Sequence, residues 1–345
     1  MIGRIHGGSP SRNFIDFSAP SNPLGPPSSS ERLLKECIKS RSYTSYPSYE
    51  RLLTSLSEYW KIDREYIVPV NGSAEALSLI PLILRSDNII VLEPNFGDHE
   101  IMASALGIRL VRPTIKLVEN RQYVNIDDII KASRMPGKNL LILSRPNNPT
   151  GFCINKKEVE EIASSVNAHI IIDEAFIEIS DCEPMKPTES YILLRSQTKA
   201  FSTHGLRLGE IITMDKKFLK KFSSSIQAWP IDSITNCFYS RILMMKNTKE
   251  YIKRARELLR KERGFIKGKI SSKVNVFDSK TAFFLIRHDP LPNPPFKQSL
   301  MKAGIYIRDA SSFFGLNRNY SRISIRNHED NKKLVEIING VIDND

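Results

Sequence analysis

The chain has 345 residues, 41% apolar and 26% charged. That composition excludes a disordered, fibrous or disulfide-scaffold class, and the length exceeds what one hydrophobic core usually spans, so one large and one smaller domain are expected. Lys and Arg number 50 against 38 Asp and Glu, a formal charge of +12. This balance fits a nucleic-acid partner, an anionic small substrate or a generally basic surface, and no helix-turn-helix, zinc knuckle or aromatic-basic RNA motif accompanies it.

In chain order, residues through 27 are rich in Gly, Pro, Ser and Asn and read as an arm laid over other structure. Residues 1–10 hold no apolar signal-peptide core, and the longest apolar stretch, 77–84, is too short to span a bilayer. Neither secretion nor membrane insertion is indicated. Between 67 and 213 short β-rich runs alternate with helical stretches. Strands are predicted at 67–70, 88–92, 108–112, 140–144, 169–173, 191–194 and 210–213. The alternation indicates an α/β domain. Several runs are apolar on consecutive residues, as in a mainly parallel sheet covered by helices on both faces.

After Pro230 a long helical stretch is predicted over 233–269, then strands at 283–287 and 322–326 and a terminal helix from Glu329, which reads as a smaller α+β domain. Much of the basic excess lies in 249–269, interleaved with Glu250, Glu257 and Glu262 as on a solvated helix face. The expected division is 1–40 as arm and part of the small domain, 41–232 as large domain and 233–345 as small domain with a linking helix. Cys37, Cys153, Cys182 and Cys237 lie far apart, signalling neither a zinc site nor a disulfide framework, so a reducing cytoplasm is expected.

Ligands of open α/β sheets bind beyond the carboxyl ends of strands, so the residues there are candidates. Asn71-Gly72-Ser73-Ala74-Glu75 is a glycine turn opening an apolar helix, which makes either an ordinary cap or an anion site. Glu93-Pro94-Asn95-Phe96-Gly97 brings a ring near the same rim, and Arg145-Pro146-Asn147-Asn148-Pro149-Thr150-Gly151 is a rigid loop presenting an amide. Asp173-Glu174-Ala175-Phe176 ends an apolar strand in a carboxylate, which either caps the next helix or meets a cation. Ser196-Gln197-Thr198-Lys199, followed by Arg207, gathers hydroxyls, an amine and a guanidinium. A lysine nucleophile needs neighbours that lower its pKa, and a phosphate needs Arg and hydroxyl donors.

These motifs, in this order, resemble fold-type-I pyridoxal-phosphate enzymes over nearly the whole chain. The resemblance implies a large domain built on a mainly parallel seven-stranded sheet plus a smaller α+β domain. Within that fold the chain is similar to the branch of histidinol-phosphate aminotransferase and the cobalamin-pathway threonine-phosphate decarboxylase. His6-Gly7-Gly8, Asp16-Phe17-Ser18 with Asn22-Pro23-Leu24-Gly25-Pro26-Pro27, and Ile307-Arg308-Asp309-Ala310-Ser311-Ser312-Phe313 leading to Arg322-Ile323-Ser324-Ile325-Arg326 resemble decarboxylase segments.

The resemblance implies that Lys199 holds the cofactor, pyridoxal 5′-phosphate, as a Schiff base, that Asp173 pairs with its pyridine nitrogen, and that Asn148 meets its ring hydroxyl. Phe96 would stack on the ring. Ser73, Ser196, Thr198 and Arg207, with the helix start from Gly72 to Ala74, would hold its phosphate, and Tyr46 would reach it from the partner subunit of a homodimer. Arg322 matches the carboxylate-binding arginine. His6, Arg308 and Arg326 are candidates for a substrate phosphate, with Gly7 and Asn22 beside them. Phe176 stands where many relatives carry Tyr, so one hydrogen bond to the ring oxygen is lost. The implied substrate is a small phosphorylated amino acid, with no metal, nucleic acid or membrane involved. Decarboxylation of L-threonine O-3-phosphate leads, transamination of histidinol phosphate follows, and a basic nucleic-acid-binding protein is the reading from another class.

Overall fold

A computed structural model describes residues 7–11 and 13–343. Seven strands, β1 (Ile67–Asn71), β2 (Asn88–Val91), β3 (Arg109–Val111), β4 (Asn139–Ser144), β5 (His169–Glu174), β6 (Ile192–Ser196) and β7 (Leu208–Ile212), form one sheet in the order β1-β7-β6-β5-β4-β2-β3. Only β7 runs against its neighbours, pairing antiparallel with β1 and β6. This is the expected mainly parallel seven-stranded sheet.

The run Asn-Leu-Leu-Ile-Leu-Ser of β4 is buried throughout. Its side chains alternate between two cores, Leu141 and Leu143 packing with Ile172 and Leu193, and Leu140 and Ile142 with Ile171 and Leu194. Both faces are therefore dry, which is why β4 reads as a continuous apolar run rather than an alternating one. Truncating Leu141 to Ala would cost about 2–5 kcal/mol.

A second, antiparallel sheet of four strands has the order β8 (Asn275–Val276), β9 (Phe283–Arg287), β11 (Tyr320–Ser324) and β10 (Arg308–Asp309). The arm joins it, since Ile15–Asp16 pairs parallel with Ile305–Tyr306. The strand predicted at 322–326 lies two residues earlier. The predicted helix 233–269 is two helices, Ser233–Ile242, started by Asp232 accepting from the Ile234 and Thr235 amides, and Thr248–Lys269. The side chain of Thr248 folds back to the carbonyl of Ile242 across the break.

The cysteine expectation is overturned, because Cys37–Cys237 and Cys153–Cys182 are disulfides with Cα separations of 5.9 and 6.2 Å. Cys37 lies on the helix Ser30–Lys39, which packs against Ser233–Ile242, and a sequence separation of 200 residues gave no signal of that contact. The reading of a reducing cytoplasm loses the support it drew from the cysteines. Among the described residues no helix is long and apolar enough to cross a membrane.

Candidate active site

Three of the proposed motifs meet where β1 and β6 end and β7 begins, beside the helix Ser73–Leu84. Gly72 takes a positive φ of 69°, and a Cβ there would come within 2.7 Å of the Arg207 guanidinium. Gly209 brings its strand so close that a Cβ would sit 2.4 Å from the Ser73 nitrogen. Only glycines permit this approach of backbone, helix start and guanidinium. Ser196 and Thr198 join by a 2.9 Å hydroxyl bond on the same wall. Hydroxyls, first-turn amides and a guanidinium converging on one spot form a cradle for a phosphate dianion.

The cradle opens into a cavity of about 420 Å³ lined by Ser73, Ala74, Phe96, Asn148, Asp173, Phe176, Ser196, Thr198, Lys199, Arg207 and Arg322, among others. Lys199 is on the short helix Gln197–Ala200 directly after β6. Burial pulls its amine down to about 8, with Arg207 and then Arg322 adding to the effect, so a neutral nucleophilic amine is populated near neutrality. Asp173 is the penultimate residue of β5, where its Oδ1 accepts from the Ala175 amide at 3.0 Å. Burial pushes its carboxyl up to about 6, and it makes no salt bridge among the described residues. A carboxylate so placed is completed by a cation delivered from the cavity.

The loops facing Asp173 are tied to each other. Ser144 Oγ donates to Asn95 Oδ1 at 2.9 Å and Asn147 Nδ2 donates to the Pro94 carbonyl at 3.0 Å, which fixes Phe96 and Asn148 on one rim. The Phe176 ring meets Phe283 edge-on at 5.0 Å and offers no hydroxyl.

A second cavity of about 520 Å³ adjoins the first through Gly7, Phe96, Asp98, Asn148 and Arg322, and Arg308, Ser312 and Phe313 form its outer wall. Arg308 and Arg322 are directly opposite each other on β10 and β11. Arg308 Nη2 donates to Ser312 Oγ at 2.6 Å. Arg322 donates to Asn148 Oδ1 at 2.6 Å and to the Ser18 carbonyl, so its partners are neutral oxygens. Burial, then Arg308, pulls its guanidinium down to about 9. Gly7 presses its backbone on Ser18, where a Cβ would meet the carbonyl at 2.1 Å.

Three expected residues lie elsewhere. Arg326 lines neither cavity; the strand ends at Ser324, the chain turns, and Arg326 Nε donates to Asp330 at 2.8 Å while Nη1 donates to the Asp16 carbonyl. Asn22 is a brace instead, its amide donating to the Lys199 carbonyl at 3.0 Å and its side chain to that of Ala200 at 2.8 Å. Tyr46 is 74% exposed and stacks on Trp229 at 3.8 Å, away from this chain's own cavity. His6 lies outside the described residues. The sequence reading missed Asp98, which borders both cavities one residue past the Phe96-Gly97 turn, and Ser144, whose position at the end of an apolar strand was a usable signal.

A phosphate cradle, a buried amine of lowered pKa and a carboxylate awaiting a cation, all in one cavity, match pyridoxal 5′-phosphate group by group. The family model of class I and II aminotransferases matches residues 12–338. The adenosylcobalamin biosynthesis bifunctional protein CobDQ of Leptospira interrogans is 30% identical over 96% of this chain, which spans only 39% of that protein's length. A Caldanaerobacter subterraneus protein provisionally assigned as a threonine-phosphate decarboxylase is 31% identical over 93% of this chain and 88% of its own. The crystal structure of histidinol-phosphate aminotransferase from Clostridium acetobutylicum superposes with a TM-score of 0.85 at 29% identity, covering 95% of this chain and 99% of that one. The chain belongs to the class I and II aminotransferase family, enzymes whose cofactor is pyridoxal 5′-phosphate.

Proposed function

We propose that the protein decarboxylates L-threonine O-3-phosphate to (R)-1-aminopropan-2-yl phosphate, a step of cobalamin biosynthesis. The observation that carries this reading is the pairing of Arg308 with Arg322 on adjacent strands at the cavity mouth. Like charges placed directly opposite destabilise a sheet, and a substrate bearing both a carboxylate and a phosphate would relieve that cost. The names of the two curated relatives and the missing hydroxyl at Phe176 point the same way.

Bound in the cavity, the cofactor supplies an electron sink for cleavage of a bond at the substrate α-carbon. The protein's part is to bind and orient. Asp173 would hold a proton on the pyridine nitrogen, Asn148 would donate to the ring oxygen, and the cradle of Ser73, Ser196, Thr198 and Arg207 would fix the phosphate. Lys199 supplies the amine. Arg322, held by Asn148 and Ser18, would set the direction of the substrate carboxylate, and that direction selects carboxyl loss over proton loss. Arg308 and Ser312 would take the substrate phosphate beneath the Gly7 arm. Exposed Tyr46 would enter the partner's cavity in a homodimer. We take 1–40, 41–232 and 233–345 as the structural divisions of the chain.

The rival reading is transamination of histidinol phosphate with 2-oxoglutarate, favoured by the 29% identity to the Clostridium enzyme. Incubation of the loaded enzyme with threonine phosphate and no amino acceptor is expected to release carbon dioxide catalytically. No release, together with enzymatic transamination of histidinol phosphate, would replace the first reading with the second.

A further inference from the structure

Behind the wall that carries Lys199 lies a set of buried charges that the proposed chemistry does not use. Glu174 on β5, Arg195 on β6 and Glu210 on β7 occupy one row across three neighbouring strands, each paired in register with the next. All three are buried. The guanidinium of Arg195 is committed to Glu174, with Nε and Nη2 both 2.9 Å from its Oε2, and Nη2 also donates to the Met185 carbonyl at 2.8 Å. Glu210 has no salt bridge among the described residues. Its carboxylate accepts from Gln197, whose Nε2 donates to Glu210 Oε1 at 2.9 Å. Gln197 is fully buried and is the first residue of the four-residue helix bearing Lys199.

Two atoms of this pair, Gln197 Oε1 and Glu210 Oε2, are buried with no hydrogen-bond partner among the described residues. Both are acceptors if Glu210 is ionised, and two orphaned acceptors in dry surroundings are costly. A single proton on Glu210 removes both defects. A carboxylic acid and a primary amide are complementary, the amide N–H donating to the acid carbonyl and the acid O–H donating back to the amide oxygen. The orphaned atoms are the two that this second bond would join.

We propose that Glu210 is a neutral carboxylic acid at physiological pH, doubly hydrogen-bonded to Gln197, and that it acts as a positioning residue for the turn that carries Lys199. The groups facing it favour the neutral acid on balance. Arg195 from β6 opposes protonation, but its hydrogen bonds go to Glu174 and the Met185 carbonyl. Glu178, from the turn after β5, is a second buried acid and raises the cost of ionising Glu210. Tyr59 from the helix Glu50–Trp60 donates to Glu178, and Tyr239 from Ser233–Ile242 donates or accepts at Thr203, so each hydroxyl has a partner elsewhere. Burial first, and then Glu178, push the Glu210 carboxyl up to about 8.

The lever reaches the site along a short path. The Gln197 carbonyl accepts from the Phe201 amide at 3.1 Å, and the Lys199 carbonyl accepts from Asn22 at 3.0 Å, so the helix is held at its start by the Glu210 pair and at its end by the arm. Ionisation of Glu210 removes one of the two bonds at the start. The acid pairs in the folded state with a pKa raised above its unfolded value, so the folded protein binds the extra proton. Stability then falls as pH rises from the ordinary carboxylate range to about 8 and levels above it.

Glu210→Gln is the discriminating variant, because a second amide can reproduce both bonds and cannot titrate. Burial also pushes Glu93 and Glu178 up to about 7, so the readout is the infrared difference between the wild type and Glu210→Gln: a protonated-carboxyl C=O band that persists in Glu178→Gln and is lost as pH rises through about 8, above the titration of the other two acids. In denaturant unfolding the folding constant of the wild type, relative to Glu210→Gln, should fall up to about tenfold per pH unit over the range between the ordinary carboxylate pKa and that value. In the loaded enzyme the wild type should lose kcat on the alkaline side relative to Glu210→Gln. The positioning role takes Lys199 as the cofactor-bearing amine; the infrared and unfolding measurements involve no cofactor, so failure of that assignment is separately visible. The absence of the band, its disappearance in Glu178→Gln instead, or a stability ratio independent of pH would overturn the proposal. Should Glu210→Gln fail to fold, the band of Glu178→Gln still decides, since a component titrating through about 8 supports the proposal and its absence overturns it.

Discussion

The floor and the mouth of the cavity are built in opposite ways. The floor consists of residues that end the strands of a single sheet, where main-chain pairing over whole strands sets Ser144 beside Asp173 and Gly209 beside Ser196. The mouth joins the two ends of the chain, Gly7 and Ser18 from the arm with Arg308 and Arg322 from the small sheet, and the bond from Arg322 to Ser18 spans 304 residues of sequence. A floor of this kind is preorganised by the fold, whereas the mouth depends on the arm docking through Ile15 and Asp16. In the proposed function, cofactor chemistry is housed in the first and substrate choice in the second.

The largest effect should come from breaking the floor. Lys199→Ala is expected to lower turnover by at least about 10³-fold while leaving the phosphate cradle intact, as measured by steady-state assay beside cofactor titration. Retained turnover would remove Lys199 from the chemistry.

Two arginines four residues apart sharpen the contrast at the mouth. Arg322→Ala, which removes a buried guanidinium and leaves the Asn148 and Ser18 oxygens without their donor, should cost about 10²-fold in kcat/KM. Arg326→Ala removes a partly exposed pair with Asp330 and should change stability by no more than about 1 kcal/mol, with kcat/KM unchanged. Equal losses in the two variants would mean that the mouth extends to Arg326.

A comparably small effect on catalysis is expected from the disulfide between Cys37 and Cys237, which ties the first long helix to Ser233–Ile242 away from both cavities. Replacing both cysteines by Ser should lower stability to denaturant by about 2–4 kcal/mol and leave kcat at 25 °C within a factor of two or so. Equal midpoints with and without reductant would show that the bridge contributes nothing.

The same contrast explains what the sequence made legible. Floor residues directly follow apolar runs, so periodicity located them: Ser73, Asp173 and Lys199 all follow such runs and line one cavity. The mouth depends on tertiary docking, and local pattern misplaced two of its members. A strand over 322–326 would have put Arg322 and Arg326 on one face, but pairing with β9 stops at Ser324, opposite Phe283, and Arg326 turns to Asp330. Asn22 sits in a motif-like segment, yet its bonds go to the carbonyls behind Lys199, across about half the chain. The cysteine pairs and the Glu210–Gln197 pair were silent for the same reason, since each joins residues whose proximity exists only in the folded chain.

Lys199, in the cavity lined by Asp173 and Arg207, is proposed to carry the cofactor. Borohydride reduction of the loaded protein, followed by peptide mass spectrometry, tests it most directly. The expected result is a pyridoxyl-phosphate mass addition on the peptide containing Lys199 and on no other lysine. An addition at a different lysine, or none in protein that shows cofactor absorbance, would contradict it.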